Sequence, residues 1–180
     1  MASLQDRVMG AMRLQAKTFE EVEHDASATP QAALVVVAVA VSGALGSFGS
    51  IGIGGALAMI VLQLIGWVLG SFVVMIVGTK IFPGKNTEAD LGQMLRTMGF
   101  AQSPGIFNVL TGIPLLGWLA WVVIQIWVIV SMVIAVRQAL DYDDTLKAVI
   151  VCVVAWVIMF MFMMLAALVG LGGALAGGML

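Results

Sequence analysis

The charged residues of this chain sit in short clusters separated by long tracts that hold none. No Asp, Glu, Lys or Arg lies between Asp25 and Lys80, between Arg96 and Arg137, or after Lys147. Such tracts cannot enclose a soluble core, which needs polar surface around it. Charged residues make up about 25% of an ordinary soluble domain. Here they are 10%, and 62% of the residues are hydrophobic. The chain is expected to be an integral membrane protein, which excludes a soluble enzyme and a disordered chain. A nucleic-acid binder needs a basic footprint, and the formal net charge is -2. A length of 180 residues implies one domain. The lone cysteine, Cys152, cannot form an intrachain disulfide. A single histidine, His24, argues against a histidine metal site.

A span needs about 20 apolar residues to cross about 30 Å of hydrocarbon. Ala56–Gly78, Pro114–Val136 and Ala148–Leu171 meet this, and Ala32–Phe48 is shorter but uncharged. Thr97–Ile113 carries Gln102, Pro104 and Asn108 and is a poor solitary span. Cytoplasmic loops collect Lys and Arg. If all five segments cross with the N-terminus inside, every Lys and Arg falls inside: Arg7, Arg13, Lys17, Lys80, Lys85, Arg96, Arg137 and Lys147. If Thr97–Ile113 does not cross, Arg137 and Lys147 are stranded outside. The expected fold is thus an all-α, five-span bundle, N-in and C-out. Residues 1–30 form a cytosolic or interfacial preface, and 31–180 a single membrane domain. Glycines 46, 49, 52, 54 and 55 should make a flexible turn between the first two spans. Thr111 to Pro114 should make a tight one between the third and fourth.

The preface repeats Leu4, Val8, Met12, Ala16 and Phe19 on one helical face, with Arg7, Arg13, Lys17 and Glu20 mostly elsewhere. An amphipathic helix follows, either along the inner leaflet or packed on its own bundle. Its apolar face should be shielded, with Arg7 and Lys17 in water.

Polar groups within the spans are few. Gln63, Gln102, Asn108 and Gln125 form a candidate intramembrane cluster, because an amide in hydrocarbon needs a partner. They could line a cavity for a polar ligand or simply join helices. Asn108 is expected to approach Gln63 or Gln125. Pro104 should kink span three near Phe100, free a carbonyl there and make this the most enclosed helix. Gly66-x-x-x-Gly70 shares a face with Gln63 and reads as a surface for packing against another span. Lys80, Lys85 and Arg96 could meet anionic lipid, or only orient the chain.

The Asp141, Asp143 and Asp144 loop could hold a cation. Alternatively, Asp143 or Asp144 caps span five. Met159 and Met163 lie one turn apart, as in copper-conducting helices, but without a partner pair they read as packing. Glu20-Glu21 lacks the downstream arginine of membrane proteases. No catalytic residue, metal site or cofactor is expected.

Four local stretches carry a resemblance. They are Thr18-Phe19-Glu20-Glu21-Val22-Glu23, Phe82-Pro83-Gly84-Lys85-Asn86-Thr87, the run from Leu95 to Pro104, and Ala139-Leu140-Asp141-Tyr142-Asp143. In this order the chain resembles the Yip family of Ypt/Rab-GTPase-interacting membrane proteins, in a short bacterial form. Gly99, Phe100 and Pro104 are similar to the family's Gly-Tyr-x-x-x-Pro element, with Phe100 where tyrosine is usual. The resemblance implies a non-enzymatic protein that organises membrane or binds partners. Those partners are membrane lipids, a protein or a second copy of the chain. In eukaryotic members it implies prenylated GTPases and vesicle traffic. The Asp-Leu-Tyr-Gly-Pro element and long N-terminal region of those members are missing, so a GTPase partner is not carried over. A bacterial plasma membrane is the expected home. The alternative is a small transporter, channel or lipid-moving protein using the amide cluster.

Overall fold

A computed structural model of the chain describes residues 2–85 and 87–177. Asn86, in the second quoted stretch, and the end of the glycine-rich tail lie outside the described residues. Within them, all regular structure is helical: α1 (Leu4–Met12), α2 (Ala16–His24), a 3-10 turn (Ala26–Ala28), α3 (Thr29–Ile76) and a π-helical turn (Val77–Ile81). Then come α4 (Leu91–Ala101), a 3-10 helix (Ser103–Gly112), α5 (Gly117–Ala139) and α6 (Thr145–Gly177). Three helices are long and apolar enough to cross a membrane: Ala26–Ile81, Gly117–Ala139 and Thr145–Leu168.

The first of these has 56 residues, which would run about 84 Å if straight. It is bent at Gly52, where φ is 62° and ψ is -171°. Only glycine enters that region without strain. Before the bend, Ala32 abuts Gly99, and Gly46 abuts Asn108. Beyond it, Gln63 bonds Gln102 and Trp67 bonds Leu95. Partner numbers rise along one limb and fall along the other, so the limbs are antiparallel, with Gly43 against the Met59 methyl. The expected glycine-rich loop is therefore helical on both sides of one residue. The reason is that backbone groups in apolar surroundings must satisfy one another internally.

The segment expected as the third span changes helix type instead of merely kinking. α4 ends at Ala101, and Pro104, which lacks an N–H, sits in the first turn of the 3-10 helix. The Ser103 hydroxyl donates to the Phe100 carbonyl at 2.6 Å, supplying the partner that the break requires. Every residue from Arg96 to Gly105 is buried, but Phe107, Val109 and Leu110 are exposed. Enclosure thus belongs to the α4 half of the segment. α5 returns antiparallel to the 3-10 helix, and Phe107 stacks on Trp127 at 5.9 Å. α6 packs Val151 and Ala155 into a core with Val74, Val136 and Leu140.

The N-terminal segment is two helices, not one. The chain breaks after Arg13, with Leu14 at φ 59°, and folds back so that Gly10 touches Thr18. Ala11, Phe19 and Val22 are fully buried in a second core with Ala32, Val35, Phe100 and Ala135. Of the two expected placements, packing on the bundle is the one observed. Lys17 is exposed as expected.

Candidate functional site

Two ties lock the charged end of the molecule. In the first, Arg96 on α4 reaches the last turn of α2. Its Nε donates to the Val22 carbonyl at 2.9 Å, one terminal nitrogen to the Glu23 carbonyl, and the other to Thr29 Oγ1 at 3.5 Å. A helix leaves its last carbonyls without partners, and the guanidinium fork supplies them. Arg96 is 8% exposed, so its donors face the protein and not a headgroup.

Arg7 was expected in water and is 1% exposed. Its guanidinium donates to Glu21 at 3.0 Å, Gln31 at 2.9 Å and Asp25. These partners let a charge enter the core, which helical periodicity alone does not register. Asp25 is pushed down to about 2 by hydrogen bonds from Ser27 and Arg7. Burial lifts Glu23 to about 7. The Glu20 carbonyl raises the exposed His24.

The second tie joins the loop after α3 to the loop before α6. Thr87 donates to the Leu140 carbonyl at 2.8 Å and accepts from the Gly84 N–H at 2.8 Å. The Tyr142 hydroxyl donates to the Phe82 and Gly78 carbonyls at 2.7 and 3.1 Å. Lys147 donates to the Pro83 carbonyl and lies 5.1 Å from the Tyr142 ring centroid. Asp144 accepts from the Leu146 N–H at 2.9 Å, capping α6 as its spacing suggested. Lys80 and Lys85 remain exposed.

Between the second limb of α3 and helices α4, α5 and α6 lies a cavity of about 480 Å³. Its polar feature is the expected amide pairing in part: Gln63 Nε2 donates to Gln102 Oε1 at 2.6 Å. Asn108 and Gln125 do not line it. Six residues of 3-10 helix rise about 12 Å, which carries Asn108 away from Gln102 to Gly43 and Gly46. Its Oδ1 is buried there without a partner among the described residues.

Gly66 and Gly70 line the cavity, and a Cβ at either would meet nothing within 4 Å. The expected helix-packing surface is therefore open space among the described residues. Trp67, Ser71, Cys152 and Trp156 also line it. Sequence reasoning missed them, although Trp67, Ser71 and Val74 continue the helical face of Gln63, Gly66 and Gly70. Trp67 is held by its indole N–H on the Leu95 carbonyl at 3.0 Å. Ser71 is 0% exposed, and its hydroxyl has no partner among the described residues.

The Gly99, Phe100 and Pro104 element is buried where α4 meets the first limb of α3. Gly99 admits Ala32 at backbone distance, and Phe100 is fully buried. The four stretches that carried the resemblance pair two by two in the ties, α2 with α4 and one loop with the other. A family model described as the Yip1 domain matches residues 9–167. The chain belongs to the Yip1 family. No curated protein and no solved structure matches it. The Yip1 match runs from the end of α1 into α6 and includes both ties and the cavity. Membership and the apolar helices together make the protein an integral membrane protein.

Proposed function

We propose that this Yip1 protein crosses a bacterial plasma membrane five times, N-in and C-out. We infer that it acts there without catalysis, organising membrane by docking a protein partner or anionic headgroups on its charged end. The observation that carries this is the pair of ties. They join α2 and both polar loops to the bundle, so exposed groups such as Lys80, Lys85, Asp141 and Asp143 stand on a fixed platform. A platform ordered before binding lowers the entropic cost of association. The alternating directions of the helical segments and the Lys/Arg distribution support the topology. A reporter fused after Lys85 should be cytoplasmic and one at the C-terminus extracytoplasmic. A cytoplasmic C-terminus would remove the five-span reading. Affinity purification from native membranes should recover a partner or enriched anionic lipid, and should lose it in a Lys80→Glu, Lys85→Glu variant. Recovery of neither would count against docking.

The cavity favours a second reading, a lipid-moving protein. The Gln63–Gln102 pair places hydrogen-bonding groups beside an apolar space among the spans. Proteoliposomes assayed for lipid scrambling should then show a rate that falls in Gln102→Leu.

A further inference from the structure

We infer that the cavity between the second limb of α3 and helices α4 to α6 binds one acyl chain of a neutral acylglycerol. The inference rests on the lipid-moving reading only for its setting within the bilayer, and it concerns occupancy rather than movement.

The size fits: about 480 Å³ lies within the ~300–1,000 Å³ of small-ligand sites. The walls are mostly apolar, and no Asp, Glu, Lys or Arg lines them. A charged headgroup would therefore enter without a counter-charge, which is costly in low dielectric. Gly66 and Gly70 form a strip one side chain deep, where no described residue lies within 4 Å of a Cβ at either position. An acyl chain, unlike a bulky ring, can lie along such a strip.

Ser71 gives the polar anchor. Its hydroxyl is fully buried, lines the cavity and has no partner among the described residues. A buried hydroxyl without a partner costs free energy, and an ester carbonyl or glycerol hydroxyl would satisfy it. Ser71 is the end of the strip nearer the charged loops, yet it lies seven residues, about 10 Å, inside Gly78, so the group it anchors sits in apolar surroundings that admit a neutral glycerol ester and not a charged headgroup. The Gln63–Gln102 pair closes the deep end, about 12 Å further along the helix. Trp156 lies at the rim and is 78% exposed, so a lipid can enter sideways from the bilayer.

The test uses the full chain purified in detergent, with monoolein as probe and phosphatidylglycerol as the charged competitor. Native mass spectrometry should show one monoolein per chain that excess phosphatidylglycerol does not displace. Gly66→Leu and Gly70→Leu fill the strip and should weaken binding about tenfold or more. Ser71→Ala should weaken it about fivefold. Gly49→Leu, outside the cavity, should bind as the parent does. Cys152 is the sole cysteine and lines the cavity, so monoolein should slow its labelling by N-ethylmaleimide in the parent and not in Gly70→Leu. Equal monoolein binding by Gly70→Leu and the parent would overturn the inference, as would displacement by phosphatidylglycerol or unprotected Cys152. Saturable binding without scrambling would uphold occupancy and remove the lipid-moving reading. Scrambling without monoolein binding would do the reverse.

Discussion

The indole N–H of Trp127 donates to the main-chain carbonyl of Met12 at 2.8 Å, fastening the end of the first helix to the middle of α5. Met12 is the last residue of α1, and its carbonyl has no partner within that helix. Arg96 does the same for α2 at Val22 and Glu23. Both N-terminal helices therefore end on donors from the bundle, which at α1 add to the Ser3–Asp6 capping box at its start and to the Leu14 and Gln15 N–H groups on its last turn. Both are nine residues long, below the ~12–15 at which an isolated helix holds in water. Docking is what keeps them folded.

Trp127→Phe keeps the stack on Phe107 and removes the donor. The expected cost is about 1 kcal/mol. It should appear as faster trypsin cleavage after Arg13, which lies in the turn that the bond pins, with global melting little changed. Cleavage at the parental rate would mean that apolar burial of Ala11 and Phe19 holds the hairpin unaided.

Arg96→Lys retains the charge, and so retains the orienting effect, but cannot reach three acceptors. Buried carbonyls at the end of α2 would lose partners, at an expected cost of about 2–4 kcal/mol. In a Cys152→Ala background, a cysteine placed at Val22 should become reactive to thiol reagents when Arg96 is replaced. Unchanged stability and a silent cysteine would show that Arg96 serves orientation alone.

How much of this was legible in sequence can be seen residue by residue. Charge-free tracts registered because apolar burial repeats with the helix, whereas the single face drawn through Leu4, Val8, Met12, Ala16 and Phe19 is split between two helices by the turn at Leu14, and Ala16 is exposed. Arg7 and Arg96 did not register, because an arginine reads as surface until its acceptors are known. Glu21, Asp25 and Gln31 lie far from Arg7 in the chain. The Gln63–Gln102 pairing was half legible: amides in spans need partners, but the 3-10 helix after Ala101 decides which. Gly66 and Gly70 read as contact because small residues usually admit a neighbour. Whether one comes is a property of the whole bundle.

Gly52 supplies a sharper test of the bend in α3. Its φ of 62° with ψ of -171° lies where a Cβ is strained, at about 1–3 kcal/mol. Gly52→Ala should lower the melting temperature. Gly54→Ala, in helical backbone with open space around it, should be neutral or stabilising by about 0.5–1 kcal/mol. Equal effects of the two would mean that the reversal does not depend on Gly52.

Glu23 should make stability depend on pH. Burial raises it from 4.5 to about 7, with Asp141 and Glu20 adding to the shift and His24 and Arg96 opposing it. The folded state therefore holds a proton that the unfolded chain has released between those values. Stability from this group is complete below about pH 4.5, falls as pH rises, and is lost once pH passes about 7. The Glu23→Gln variant replaces the carboxyl with an amide that is neutral throughout. That amide could still pair with Gln93, which donates to Glu23 at 3.4 Å. Glu23→Gln should match the parent near pH 4.5 and exceed it at pH 8 by about 1–3 kcal/mol. Exposed His24 is also raised, so the parent's own slope contains both groups. The difference between parent and variant isolates Glu23. Parallel melting curves from pH 4.5 to 8 would show that its carboxyl is hydrated and titrates normally.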